Sequence, residues 1–340
     1  DGITIFFVTW SLILLIFAFQ NFDSVFFIQR VFGQRYFFIP YLLPLLLLFS
    51  TFSLEFFKKF FHFTFLFIIP AILIQIVIMA SISVQNLHEN LHRIWIFDIG
   101  SSFLLLTAHV SKKRAVSIVI LFYIILMLLL SVLWGRRGML IEYLLLIIFM
   151  IIIRIKSSFI RTNSRVKIFL SLLALIFLLI IFGSLFESTF VFQRGFTLEA
   201  FNESRGLVIE DFLIDFTSTS DWIFGRGIDG SILRTIDINS GSENLIENGF
   251  LTIILKGGLL YLIPFIIIFS RAIFLGFFCS RNDLAKSLAA ILLIHLIIMF
   301  TFNLPDYSSK YIIAWVAVSA CLNPEIRNTT NLELAKAFNS

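Results

Sequence analysis

The chain has 340 residues, of which 59% are hydrophobic and only 14% are charged. A soluble domain is nearer to about half apolar and about a quarter charged, so this composition excludes an ordinary soluble protein and predicts a membrane protein. The formal net charge of +5 comes from short basic loops. It therefore bears on membrane topology and gives no reason to expect a nucleic-acid partner.

Apolar runs long enough to cross a bilayer recur along the chain. A transmembrane helix needs roughly 17 to 25 mostly apolar residues. We therefore expect an all-α polytopic membrane protein with about ten transmembrane helices, forming a single membrane domain over residues 1–340. The runs lie near residues 3–19, 36–54, 63–83, 94–110, 115–134, 138–153, 168–186, 249–270, 287–303 and 308–322.

Basic residues fall in alternate loops, which sets the expected orientation. Under the positive-inside rule these loops share the cytoplasmic side, together with the C-terminal tail. The hydrophilic segment 187–247, inserted between the seventh and eighth helices, then faces outward. The basic loops contain Lys58, Lys59 and residues 112–114, 154–167 and 271–286.

The outward loop, residues 187–247, is where we expect the chemistry, because loops on a rigid scaffold carry function. It holds 4 arginines, 11 acidic residues and no lysine. Residues 202–216 follow a helical period and predict an amphipathic helix that lies on the membrane or on the other helices. Its apolar residues Leu207, Val208, Phe212, Leu213 and Phe216 oppose Glu210, Asp211 and Asp215.

Two further features of the loop follow this helix. Residues 221–227 (DWIFGRG) place glycines on both sides of Arg226, as a close turn requires. A polar stretch over residues 239–244 then leads through Glu247 into the eighth span, which carries the sequence KGGLL over residues 256–260. The outward loop is therefore expected to contain short amphipathic helices joined by a tight turn.

Three charged residues fall well inside predicted spans: Asp98, Glu142 and Lys256. Charges within a bilayer are costly unless they are paired or hydrated, so they are candidate functional residues. At 1.5 Å per residue, each lies roughly 6 to 11 Å below the outer surface. An enzyme acting at the outer leaflet needs polar groups at this depth, whereas a transporter needs them near the midplane. The alternative is a local pair, Glu142 with Lys256 or Asp98 with an arginine, that only holds helices together.

We expect neither a metal nor a cofactor. The sequence contains no CxxC or Walker motif and no Asp-x-Asp pair. Residues 88–92 read HENLH, which has the spacing of an HExxH motif, and residues 225–230 read GRGIDG, which has the spacing of GxGxxG. His88 and His92 are four residues apart but have no evident third ligand. His295 lies in the middle of a span, where a histidine is more often a packed core residue than a ligand.

The turn at residues 134–138 (WGRRG) places Arg136 and Arg137 at the outer end of a span. A guanidinium is planar, always charged and matched to phosphate oxygens, so this pair is a candidate fork for a pyrophosphate. The alternative is that both side chains reach lipid head-group phosphates without further function.

These motifs occur in a recognisable order. A Gly-Arg-Arg-Gly turn precedes a span, an Arg-Gly pair at residues 205–206 opens a helix in the outward loop, and residues 224–227 read Phe-Gly-Arg-Gly. Glu247 and Asn248 then precede an apolar run that ends in Gly-Gly-Leu-Leu. Over residues 131–270 this pattern resembles the superfamily of O-antigen polymerases (Wzy-type) and O-antigen ligases.

The resemblance implies a glycosyltransferase of GT-C-like architecture in the bacterial inner membrane. Its substrate would be an oligosaccharide on undecaprenyl pyrophosphate, polymerised into a surface polysaccharide at the outer face, with a chain-length regulator protein as a partner. Arg137 would match the arginine of the family's Ser-Arg-Gly turn, with Arg136 replacing the serine, and Arg205 would match the loop arginine. Both would stabilise the leaving pyrophosphate. The remaining expected residues are Glu243 or Glu247 as the base, and Arg136, Arg226, Asp211, Glu142, Lys256 and Asn244 as substrate-binding residues.

Three other functions stay open. Ligases of this superfamily carry a histidine before the span that follows the loop, and here residues 242–244 read Ser-Glu-Asn, which favours a polymerase. A non-enzymatic lipid-oligosaccharide transporter is disfavoured because the charged residues lie on one side of the bilayer. A scaffold whose outward loop only docks another protein is the last alternative.

Overall fold

A computed structural model of the chain describes residues 1–19, 37–81, 101–108, 114–133, 137–158, 205–233, 246, 248–300 and 305–339. Within these ranges the protein is all-helical and contains no strand. The expected all-α class is therefore confirmed for this part of the chain. In chain order the helices are α1 (Gly2–Phe19), α2 (Ile39–Leu47), α3 (Leu54–Ser81), α4 (Ser101–Thr107), α5 (Arg114–Leu133), α6 (Arg137–Ser158), α7 (Arg205–Asp215), α8 (Thr219–Phe224), α9 (Gly249–Phe278), α10 (Asp283–Met299), α11 (Ser309–Leu322), α12 (Pro324–Asn328) and α13 (Asn331–Asn339).

Two of these helices are long and apolar enough to cross a membrane, α3 over Leu54–Ile74 and α9 over Gly249–Phe278. Helices α1, α5, α6 and α11 contain shorter apolar stretches. A helix lies in every predicted run except the seventh, residues 168–186, which falls outside the described ranges. The expectation of ten transmembrane helices therefore stays a prediction.

Some helix ends differ from the prediction. Helix α3 begins at Leu54, so Lys58 and Lys59 lie in its first two turns rather than in a loop. The first turns of α3 precede the predicted run and bury Phe57 and Phe61 in the core. The exposed Glu55 and Lys59, one turn apart, form an ion pair of 2.7 Å. Helix α9 likewise continues beyond residue 270 to Phe278, so Arg271 is helical.

Helix α9 is the centre of the described structure. It packs against α1, α8, α10 and α11, and α10 also packs against α4 and α6. The core beside α9 is aromatic: Phe265 and Phe269 pack around the fully buried indole of Trp315 at centroid distances of 5.9 and 5.2 Å. Aromatic rings bury large apolar areas and favour such tilted contacts.

Polar side chains begin the three helices of this core. Asn248 caps α9, Asn282 caps α10 and Ser308 caps α11, each accepting a hydrogen bond from a backbone amide of the first turn. These bonds satisfy amides that have no partner within the helix. Asn282 also donates to the carbonyls of Ile326 and Thr329, at 2.6 and 3.0 Å. This places the C-terminal helices beside the C-terminal end of α9.

Helix α9 is broken at Gly258, which has φ 65° and ψ −171° within an otherwise helical run. Glycine adopts this conformation without the steric penalty of a Cβ atom. The break lies nine residues after Gly249, about 13 Å along the helix. It opens the backbone at the place where the outward loop docks.

Candidate functional site

The described part of the outward loop is seated on the break in α9. A Cβ atom added at Gly225 would lie 2.6 Å from the amide nitrogen of Gly258, and one added at Gly258 would lie 2.2 Å from the carbonyl oxygen of Ile223. Only glycine permits so close an approach of two backbones. The amide of Arg226 donates a hydrogen bond of 2.7 Å to the carbonyl of Leu255, which joins the two segments directly.

Lys256 makes the second attachment between α9 and the loop. Its Nζ donates to the carbonyls of Ile228 and Gly230, each at 2.7 Å. A partly buried ammonium needs such acceptors because it has left water. The sequence predicted Lys256 as a substrate-binding residue. In the structure its ammonium contacts the loop at residues 224–229, which we call the glycine turn.

Arg226 organises the glycine turn from within. Its Nε donates to Asp221 at 2.8 Å, and its two terminal nitrogens donate to the carboxylate and the carbonyl of Asp215 and to the carbonyl of Ser231. Its Cζ lies 5.0 Å from the ring centroid of Phe216, within the range of a cation–π contact. The predicted substrate-binding role of Arg226 stays a prediction, and the structure gives it a positioning role in the loop.

The charges of this network shift one another's pKa. Burial of the Asp215 carboxyl raises its pKa, but hydrogen bonds from Arg226 and from the amide of Leu233 outweigh burial and hold the pKa below its usual range. Burial lowers the pKa of Arg226, but its bonds to Asp215 and Asp221 raise it overall. At neutral pH Asp215 and Arg226 are therefore both ionised.

The faces of α7 differ in part from the prediction. Phe212 and Phe216 are buried as expected, and Trp222 contacts both rings edge-on at 5.8 and 5.2 Å. However, Asp211 is only 7% exposed, so its predicted position opposite the buried phenylalanines is wrong, whereas Leu213 is 53% exposed. The aromatic cluster and the guanidinium of Arg226 attract the side of α7 that carries both phenylalanines and Asp215, and Asp211 follows the same side.

An open cavity of about 620 Å³ lies between α1 and the glycine turn. It is lined by an apolar face of α1 and by the glycine turn. Trp10 closes the inner end, where its Nε1 donates to the carbonyl of Gly257 at 2.9 Å and its ring lies 5.9 Å from that of Phe224. The lining residues are Trp10, Leu14, Phe17, Ala18 and residues 224–229.

A second cluster of ionisable side chains lies between α6, α10 and α11. Glu142 and Lys310 form an ion pair of 2.7 Å with side chains 9% and 17% exposed, and His295 is buried beside them. The sequence suggested Lys256 as a local partner for Glu142, whereas the structure pairs Glu142 with Lys310. Lys310, which lies in the first turn of α11, was not singled out from the sequence.

Several predicted residues are not described by the structure. Arg136, Glu243, Asn244 and Glu247 lie outside the described ranges, as do Asp98, His88 and His92. Arg137 and Arg205 are the first residues of α6 and α7, but their side chains are outside the description. The expected catalytic pair of arginines therefore stays a prediction.

Among the described residues, no group of three or more His, Cys, Asp or Glu side chains could hold a metal ion. No protein-family model, no curated protein and no solved structure matches this chain. The likeness to O-antigen polymerases and ligases therefore rests on the motifs alone.

Proposed function

We propose that the protein is a membrane-embedded glycosyltransferase that polymerises oligosaccharide repeat units carried on undecaprenyl pyrophosphate into a surface polysaccharide. The observation that supports this proposal best is the open cavity between α1 and the glycine turn. A lipid-linked sugar is an amphiphile, and it needs one apolar wall and one polar wall at the membrane surface. The cavity is lined by Leu14, Phe17 and Ala18 of α1 and by the glycine turn, which includes Arg226 and Asp229.

The reaction forms one glycosidic bond and breaks one bond to phosphate. An acceptor sugar hydroxyl attacks the anomeric carbon of the donor, and the pyrophosphate leaves with the electron pair of its C–O bond. The hydroxyl proton passes to a carboxylate, assigned to Glu243 or Glu247. Arg137 and Arg205 stabilise the charge that develops on the pyrophosphate.

The described contacts support a rigid loop next to this chemistry. Lys256 and the carbonyl of Leu255 hold the glycine turn on α9, and Arg226 holds the turn to α7 through Asp215. Side chains on well-anchored elements keep the geometry that catalysis needs. In this proposal Arg226 and Lys256 are positioning residues, and Arg205 is the first residue of α7, the helix that Arg226 holds through Asp215.

The charge of the loop limits how the substrate is captured. Residues 187–247 carry 4 basic and 11 acidic residues, a balance of 4 − 11 = −7. Such a field repels an anionic lipid pyrophosphate at long range. Capture must therefore depend on arginines in direct contact with the phosphates, which makes single arginine substitutions an informative test.

The test is to replace Arg137 and Arg205 separately with alanine in the native strain and to separate the surface glycan by gel electrophoresis. Membrane levels of each variant are measured in parallel. Arg281→Ala is the matched control, because the Arg281 side chain is exposed beyond the other end of α9. We expect both test variants to lose long chains while single repeat units still reach the surface lipid, and the control to keep its full ladder.

Two outcomes would redirect the proposal. Loss of all surface glycan, with polymer accumulating on the carrier lipid, would identify a ligase that transfers glycan to lipid A-core. If the glycan ladders were unchanged at normal protein levels, neither arginine would be catalytic. A transporter or a scaffold would then be the favoured function.

A further inference from the structure

Helix α7 carries its charges and its aliphatic side chains on unexpected sides. Asp211 and Asp215 face the rest of the loop, with Asp211 buried and Asp215 bound to Arg226. The large aliphatic residues face away from the protein: Ile214 is 71% exposed and Leu213 is 53% exposed. A helix surrounded by water has the opposite arrangement, with charges outward and aliphatic residues inward.

These aliphatic residues form a strip. Ile209, Leu213 and Ile214 lie within about 140° of the circumference of α7, with the exposed Glu210 between Leu213 and Ile214, and we call the three aliphatic residues the outward edge of α7. Glu210 is the only charged residue among the exposed positions of residues 209–214. A strip of this kind indicates an apolar surrounding rather than solvent.

The depth of the loop provides an independent observation. The hydrogen bond from Trp10 to the carbonyl of Gly257 lies eight residues from Gly249 on α9 and nine residues from Phe19 on α1. At 1.5 Å per residue, both helices place this bond about 12 to 14 Å inward from their ends on the loop side. The glycine turn docks at the same level, so the loop enters between the helices instead of resting above them.

The exposed residues of the loop also separate by polarity. Phe224, at the docking level, is 50% exposed, and it lies across the cavity from Phe17, which is 55% exposed. Residues 217–220 (TSTS), between α7 and the body of α8, are all exposed and polar. This combination of an apolar side and a hydroxyl-rich side is typical of an element at a membrane–water interface.

We infer that the outward edge of α7 is embedded in the hydrocarbon of the outer leaflet, so that the loop is anchored in the lipid beside α1 and α9. The occupant of this surface is lipid acyl chain. The carboxylates of Asp211 and Asp215 face the protein, and Glu210 is the one charged side chain of residues 209–214 on the exposed side of α7. The inference needs only that α9 crosses a bilayer and does not depend on the sugar chemistry.

The test measures the surroundings of single labelled positions. The exposed Cys279 is replaced by serine, while the buried Cys321 is retained. Ile214→Cys and Leu213→Cys are labelled with bimane in the full chain, reconstituted into phosphatidylethanolamine–phosphatidylglycerol vesicles. Ser220→Cys is the matched control, because Ser220 is an exposed residue of the same loop. Quenching is measured with lipids brominated on the acyl chain and with aqueous iodide.

Labels on the outward edge are expected to be quenched by brominated lipid at least about twofold more than the label at residue 220, with the reverse order for iodide. Equal iodide quenching at residues 214 and 220 would overturn the inference, because α7 would then lie in water. Protection of the Ile214→Cys label from both quenchers would also overturn it, because a protein surface, such as a second copy of the chain, would then cover the edge. Thermal unfolding of each labelled variant confirms that the fold is retained, and none of these readings depends on glycan synthesis.

Discussion

Gly225 and Gly258 meet backbone to backbone, so that a Cβ atom added at Gly225 would come within 2.6 Å of the amide nitrogen of Gly258. They belong to the outward loop and to the longest apolar helix, and both have positive φ, 74° and 65°. The loop can therefore approach the helix only where both segments have glycine. The position of the candidate site depends on this contact.

Alanine at either glycine should release the loop. Gly225→Ala and Gly258→Ala combine a backbone clash with a disfavoured φ, so we expect each to lower the unfolding temperature and to expose residues 205–233 to hydrogen exchange. Gly227→Ala is the matched control, because Gly227 has φ 79° but nothing within 4 Å of an added Cβ. It should show only the conformational effect, about 1–2 kcal/mol. Equal effects at all three positions would contradict the proposed close contact.

Arg226→Lys should loosen the loop although it keeps the positive charge. A lysine ammonium cannot reproduce the fork that bonds Asp221, Asp215 and Ser231 together. We expect a loss of at least about 1.5 kcal/mol, typical of hydrogen bonds to charged groups. This loss of stability is measured by hydrogen exchange of the backbone amides of residues 205–233.

A surface pair supplies the comparison for that measurement. Lys59→Ala breaks the ion pair between Lys59 and Glu55. Their side chains are 75% and 70% exposed, respectively. Exposed pairs contribute little, about 0–1 kcal/mol, so exchange in the loop should not change. If Arg226→Lys also left hydrogen exchange in the loop unchanged, the guanidinium would not organise the loop.

The docked loop should be sensitive to acid. The pKa of Asp215 in the folded protein lies below its usual range. The ionised carboxylate therefore stabilises docking above the ordinary aspartate pKa, about 3.9, and this stabilisation is lost as the pH falls through the lower folded value. The fluorescence of bimane on Ser220→Cys, followed from about pH 6 to pH 2, should report release of the loop below about pH 4.

Asp215→Asn provides the control for the acid transition. Asparagine cannot titrate, so the variant should dock less firmly at neutral pH and should lose the part of the transition that belongs to Asp215. An unchanged transition in this variant would assign the acid sensitivity to other carboxylates.

The ion pair between Glu142 and Lys310 should be more sensitive to single changes than to a double change. Removing one partner leaves a buried charge without compensation, which typically costs about 3–5 kcal/mol. Replacing both, as in Glu142→Leu with Lys310→Met, should restore much of the loss, because apolar side chains of similar volume suit a buried site. Thermal unfolding of the two single variants and the double variant measures the coupling. A double variant as unstable as the sum of the singles would show that the two side chains act independently.

Much of the helical arrangement follows from local pattern. Apolar runs predicted the positions of α1, α3, α5, α6, α9, α10 and α11, because a long apolar segment has few alternatives to a helix in lipid. The ends were less predictable. Helix α3 begins at Leu54, where Phe57 and Phe61 pack into the core, a tertiary contact to which the apolar run gives no guide.

The partners of the charged residues did not follow from the sequence. The depth of Glu142 within its span was predicted from its position, but Lys310 is 168 residues away along the chain. Periodicity within α6 contains no information about which residue of α11 lies opposite. The same holds for Lys256, whose acceptors are carbonyls of a turn 26 and 28 residues earlier.

The amino-acid sequence by itself determined an all-helical, strongly apolar protein with one long polar loop, and it identified Arg226, Glu142 and Lys256 as residues that need a specific environment. The tertiary structure decided where each of them goes. It seated the glycine turn on the break at Gly258 and turned the aliphatic side of α7 outward. The physical reason is that helix formation and burial depend on neighbours within a few residues, whereas docking depends on backbone contacts and charge pairs between distant segments, such as Trp10 and Gly257, 247 residues apart.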